Sequence, residues 1–141
     1  MALQPATKVH RECDATIIDE LGHEHAVGCT LEYGVRDSFA VTLTISTSRQ
    51  SVPWVFARDL LQESLFAPTG AGDVHLWPTL ATDGRAMTAV ELTNASAVAL
   101  ILLPTREVAA FLDASFLAVP SGHESIDDFD NALRTLLAEH G

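Results

Sequence analysis

Residues 51–66, SVPWVFARDLLQESLF, change their period halfway along, and that change decides the fold class. Trp54 and Phe56 stand two apart, as residues on one face of a strand do, and Pro53 within the run marks an edge or irregular pairing. From Ala57 to Phe66 the apolar positions regroup. Leu60, Leu61, Ser64 and Leu65 form one helical stripe, while Arg58, Gln62 and Glu63 lie off it. Asp59 in the first turn suits the helix dipole, and Pro68 with Gly70 closes the helix. A strand that runs straight into a helix predicts a mixed α+β protein.

The flanking sequence supports this. Residues 7–17 alternate, with Val9, Cys13, Ala15 and Ile17 on one face and His10, Glu12 and Asp14 on the other. Residues 18–28 are polar, hold Gly22 and Gly28, and read as a loop. Cys29, Leu31, Tyr33 and Val35 then alternate, as do Phe39, Val41, Leu43 and Ile45, and the short Arg36-Asp37-Ser38 connection makes them a hairpin. Downstream, strands are expected at 73–77, 86–92 and 97–103. The last is an unbroken apolar run and reads as central. Pro104 and Thr105 open a helix that buries Val108, Phe111, Leu112 and Ser115. After a linker at 120–124, Ser125 caps a second helix whose stripe is Ile126, Phe129, Leu133, Leu136 and Leu137. The expectation is about seven mostly antiparallel strands, one inserted helix and a C-terminal helical pair. All belong to one domain over 1–141, with residues 1–6 as a flexible start.

Composition narrows the function. With 141 residues, 48% of them hydrophobic and only 19% charged, the chain can build a core and still bury apolar surface between subunits. Eight Lys plus Arg face nineteen Asp plus Glu, for a formal charge of -11. The basic residues are scattered singly, so the field of the whole protein repels nucleic acid and anionic membranes alike. No basic and apolar leader opens the sequence. The longest apolar run, 95–103, is far short of the roughly 18 residues a spanning helix needs. A cytoplasmic protein without membrane insertion is expected, and its two cysteines, Cys13 and Cys29, read as reduced small core residues.

No segment supports a reaction class. Gly70-Ala71-Gly72 leads into a strand rather than a helix N-terminus, with no Lys-Ser/Thr after it, and reads as a turn. His23-Glu24-His25 has two imidazoles at a metal-site spacing but no third ligand in view, so a solvated loop is expected. Asp127, Asp128 and Asp130 suit a helix N-terminus, and neither His75 nor His123 has a nucleophile partner in sequence. The chain is expected to be no enzyme and to use no cofactor and no metal. Trp77 shares a strand face with Asp73 and His75, opposite Val74 and Leu76. It reads equally well as core or as a contact residue.

One stretch is more specific than composition. Trp54-Val-Phe-Ala-Arg-Asp-Leu-Leu61, then Pro68-Thr-Gly-Ala-Gly-Asp-Val74 and Trp77-Pro78, closely resembles the signature of the SsgA-like family, the septum-site proteins of sporulating actinomycetes. The SsgB branch is the preferred placement within it. The resemblance extends loosely from Cys29 to Leu137 and is weakest before Gly28. It implies a non-enzymatic protein that recruits or positions the tubulin-like GTPase FtsZ at sporulation septa. It also implies a homotrimer, a sister SsgA-like protein as a further partner, and a Whirly-like fold. That last likeness leaves one alternative, a module for single-stranded nucleic acid, which the charge opposes. The residues expected to meet FtsZ or a sister protein are the polar side of the signature: Arg58, Gln62, Glu63, Asp73, His75 and Trp77.

Overall fold

The computed structural model describes residues 8–34 and 37–123. A long hairpin opens the described chain, with β1 (Lys8–Ile18) paired along its whole length to β2 (Glu24–Gly34). β3 (Ala40–Ser46) and β4 (Ser51–Ala57) continue the meander, and α1 (Arg58–Glu63) follows without a break. Then come β5 (Thr69–Ala71), β6 (Val74–Leu80), β7 (Ala86–Thr93), β8 (Val98–Pro104) and α2 (Thr105–Ala118). The strands make one antiparallel sheet in the order β4-β3-β2-β1-β8-β7-β6-β5. Two four-stranded meanders therefore meet at a seam. There only Thr16–Ile18 of β1 pairs with Leu100–Leu102 of β8.

Period-two alternation puts one face of this sheet inside. Leu31, Val41, Leu43, Leu76, Val90, Ile101 and Leu103 are fully buried on it. α2 covers that face with Val108, Phe111, Leu112 and Ser115, the four residues its stripe predicts. Removing one leucine side chain from water contributes about 1.5–3 kcal/mol, so this face outweighs any single surface pair. The apolar run at β8 is central, as expected, and β4 is an edge, as Pro53 implies.

The sheet has eight strands where about seven are expected. The addition is β5, three residues that pair with β6 and carry too few side chains to show a period. Between them lies the glycine turn. Gly72 has φ +58, and a Cβ at Gly70 would meet the His75 ring at 2.6 Å, so both glycines serve the hairpin. Another correction falls on residues 18–28, where β2 already begins at Glu24. The connection is only a tight turn, closed by Asp19, whose Oδ1 accepts the backbone N–H groups of Leu21 and His23 at 2.9 and 2.8 Å. α1 spans 58–63 rather than 57–66, with Ser64 at its C-cap. The second C-terminal helix, 125–137, and the flexible start, 1–6, lie outside the described residues.

Candidate functional site

The expected contact set divides in the structure. Arg58 does not lie on a polar side: it is 1% exposed, in line with Leu61 and Ser64, both fully buried. Those three positions are spaced i, i+3, i+6, one ridge of a helix, so the buried stripe begins one turn earlier than its apolar members indicate. The Arg58 guanidinium reaches the far end of α2. Its Nη1 donates to the carbonyl oxygens of Ser115 (3.0 Å) and Val119 (2.9 Å), and lies 3.4 Å from Ser115 Oγ. Its carbon sits 4.5 Å from the ring centroid of Tyr33 and 4.1 Å from that of Phe116. The last carbonyls of a helix have no partner within it and carry partial negative charge. The cation adds a charged donor to the Val119 carbonyl and to that of Ser115, which also accepts the Val119 N–H at 2.9 Å, and two ring faces replace part of its lost hydration. Arg58 is an internal lock, and its burial withdraws it from the contact surface.

The other five residues remain accessible in different degrees. Glu63 is exposed and accepts a hydrogen bond from Thr69 Oγ1 at 3.1 Å, while Gln62 is half-buried. Thr69 is paired with Leu76 and shares its face of the sheet. Asp73 and His75 are exposed and Trp77 is half-buried, with His75 and Trp77 opposite in parity to Val74 and Leu76. Gln62 and Glu63 thus stand at the α1 edge, and His75 and Trp77 on the outer face of the sheet.

That outer face holds more than sequence reasoning found. The register sets Trp77 beside Ala89, Ala89 beside Leu102, and Leu102 beside Thr16. The neighbouring row is His75, Glu91, Leu100 and Ile18. Ala89 and Met87 are buried beneath this surface, while Trp77, Leu100, Leu102 and Ile18 are half-buried. The signal was the unbroken run of β8. An apolar residue at every position means that both faces of the strand are apolar, and α2 covers only one. The rim is polar, with His75 Nδ1 3.8 Å from Glu91 Oε1.

The remaining candidates show ordinary structural chemistry. His25 Nε2 lies 2.8 Å from Asp19 Oδ2, and His23 Nδ1 lies 3.6 Å from the same oxygen. The hydrogen bond with His25, then that from the His23 backbone, holds the Asp19 carboxyl below its usual range. No group of three or more His, Cys, Asp or Glu among the described residues is arranged to hold a metal ion. Cys13 and Cys29 are buried in the core as read. No helix among the described residues is long and apolar enough to cross a membrane.

The fold, the signature segment and its packing define a class. The sequence profile of the family described as Streptomyces sporulation and cell division protein, SsgA, matches residues 27–124, and the chain belongs to that family. Its relatives make the placement narrower. A sporulation-specific cell division protein of Frankia casuarinae is 37% identical over 94% of this chain and 92% of its own length. The sporulation-specific cell division protein SsgB of Streptomyces coelicolor is 40% identical over 77% of this chain and 80% of its own. A solved structure, reported with mutations in SsgB that correlate to longitudinal cell division during sporulation of Streptomyces coelicolor, superposes with a TM-score of 0.80. It is 34% identical and covers 88% of this chain and 98% of that one. The crystal structure of an SsgA-like sporulation-specific cell division protein from Thermobifida fusca gives a TM-score of 0.83 at 26% identity over 100% of both chains.

Proposed function

We propose that this chain is a non-enzymatic division protein that recruits or positions FtsZ at sporulation septa from the cytoplasm, working as a homotrimer and alongside a sister SsgA-like protein. The observation that carries the reading is the outer face of β6, β7 and β8. Trp77, Leu100, Leu102 and Ile18 leave apolar area half-covered there inside a polar rim, the anatomy of a protein contact. Asp73 and His75 supply polar groups beside it, and Gln62 and Glu63 form a separate polar part of the proposed contact at the α1 edge. The names of the relatives in the SsgA family support the setting in sporulation and division.

The alternative, a single-stranded nucleic-acid module of Whirly-like fold, needs basic side chains turned toward a groove. Four of the basic groups are instead held by carboxylates. Lys8 pairs with Glu32, and Arg11 Nε lies 2.6 Å from Glu107 Oε2. Arg85 Nε lies 2.7 Å from Asp83 Oδ2, and Arg106 Nε 3.9 Å from Glu107 Oε1. With a net charge of -11 the phosphate backbone gains little.

The experiment is imaging of the tagged chain with FtsZ in sporulating hyphae, beside a strain that lacks it. Co-localisation at septa, and FtsZ rings misplaced without the chain, are expected. Normal rings in its absence would refute the recruitment role.

A further inference from the structure

The chain has two cysteines, and the sheet sets them directly opposite each other, Cys13 on β1 against Cys29 on β2. Opposed residues of an antiparallel pair have Cα atoms about 4.5–5.5 Å apart, within the span of about 4.4–6.8 Å that a disulfide bridges. Their side chains leave the same face of the sheet. Both are free thiols, and neither has another cysteine in the chain to compete for it. A cavity adjoins the backbone of the pair. Both residues belong to the lining of a cavity of about 600 Å³, along with Glu12, Asp14, Arg85 and Arg106. The cavity lies beside the stretch of β1 that β8 leaves unpaired, since their pairing covers only Thr16–Ile18 on β1. Glu12, Asp14, Gly28 and Thr30 of that lining alternate with the cysteines and stand on the opposite face, so a small reagent has room beside the backbone of the pair. The sulfurs share the core face with Ala15 and Leu31 and meet the reagent when the β1 edge opens locally.

We propose that Cys13 and Cys29 are a reversible modification site, closing to a cross-strand disulfide by exchange with a low-molecular-mass disulfide. Cys13, as thiolate, attacks one sulfur of the reagent. The reagent's S–S bond breaks, one reagent thiolate leaves and takes up a proton, and a mixed disulfide forms on Cys13. Cys29, in turn deprotonated, attacks the Cys13 sulfur and expels the second reagent thiol. The two protein thiols lose two electrons and two protons, and the reagent disulfide gains both as two thiols. Cys13 is the entry point because it is the more exposed of the two, 8% against 3%. Burial, chiefly, pushes its thiol up to about 11 and that of Cys29 to about 12. Both are protonated at neutrality, so the exchange is slow and speeds up with pH.

The test incubates the reduced protein with bis(2-hydroxyethyl) disulfide, quenches with acid and measures intact mass and free thiols. The native protein should lose two hydrogens in mass and both titratable thiols, and dithiothreitol should restore them. The rate should rise about tenfold per pH unit between about pH 7 and pH 9. The bridge should raise Tm by on the order of 10 °C, because it closes a short loop of the unfolded chain. Cys29→Ser should trap the mixed disulfide on Cys13, and Cys13→Ser should react more slowly than Cys29→Ser. The proposal is overturned if the native protein keeps both thiols while the same protein in urea loses them. It is equally overturned if the native protein accumulates a mixed disulfide that never resolves. The mass of the unsubstituted protein decides the matter even if a variant fails to fold.

Discussion

The junction of α1 with α2 and the outer face of β6, β7 and β8 both combine charge with aromatic rings, and they use the combination in opposite ways. At the junction the cation of Arg58 is enclosed by the rings of Tyr33 and Phe116 and by the carbonyls of Ser115 and Val119. On the outer face Trp77 is half-buried, and the His75 and Glu91 side chains beside it are 54% and 38% exposed. Residue type does not separate the two regions; coverage does. In the first, a second helix supplies acceptors and rings that replace water. In the second, nothing in the described chain covers the sheet. Hence one region holds the fold together, and the other is the face proposed to meet a partner.

Substitutions should separate the two roles. Arg58→Ala should have the largest effect, about 3–5 kcal/mol of lost stability, because it removes a buried charged donor from the Ser115 and Val119 carbonyls and opens a cavity between two rings. Chemical denaturation should show this, with FtsZ binding lost only in proportion to unfolding. Leu76→Ala, on the inner face of the same strand as Trp77, should cost about 2–5 kcal/mol by leaving a cavity. Protein level and recruitment should fall together in cells. Glu63→Ala should stay within about 0.5 kcal/mol of the parent, since Glu63 is exposed and bonds the Thr69 hydroxyl at the surface. A modest loss of FtsZ affinity at unchanged Tm would place the α1 edge within the contact; a large fall in Tm would show that Glu63 is structural.

The smallest effect expected is on pH. Asp19, Glu32 and Asp83 all titrate below their ordinary values, through hydrogen bonds with His25, Lys8 and the Arg85 backbone respectively. A carboxyl that is more acidic in the folded state adds stability above its unfolded value, and that increment is lost as pH falls through the folded one. A slight decline of Tm beginning below about pH 4 should follow, and Asp19→Asn should flatten it. A decline that starts near neutrality would contradict this assignment to the three carboxyls.

Which parts of this were legible in the sequence follows from how side chains report their surroundings. β1, β3 and α2 alternate or repeat because one side of each packs on the core, and their spans agree with the reading to within a residue or two. Phe39, read with the β3 face, stands just before the strand and is exposed, and in β7 Met87, Thr88, Ala89 and Val90 are all buried. β5 is too short to have a period. The start of β2 is hidden because Glu24, His25 and Ala26 are all exposed, so no alternation marks it. Arg58 reads as polar surface in the sequence, and is buried in the structure, for a chemical reason. Its spacing from Leu61 and Ser64 placed it on the buried ridge, but a charge is rarely buried unless paired, and its partners on α2 are 57 and 61 residues away. The half-open face was visible only in part. Trp77 is a candidate from its strand parity, whereas Leu100 and Leu102 read as part of a central strand, because an unbroken apolar run does not say whether both faces are covered.

Trp77→Ala carries the test of the division between lock and contact surface. The ring is half-buried, so the substitution should cost about 1–2 kcal/mol, small enough for the protein to stay folded. FtsZ polymers should be sedimented with the parent and with the variant at matched concentration, below the melting temperature of either. At least a tenfold loss of co-sedimentation by the folded variant is expected, about 1.4 kcal/mol or more of contact energy. Parent-like co-sedimentation by folded Trp77→Ala would contradict the assignment and leave the outer face without a role in recruitment.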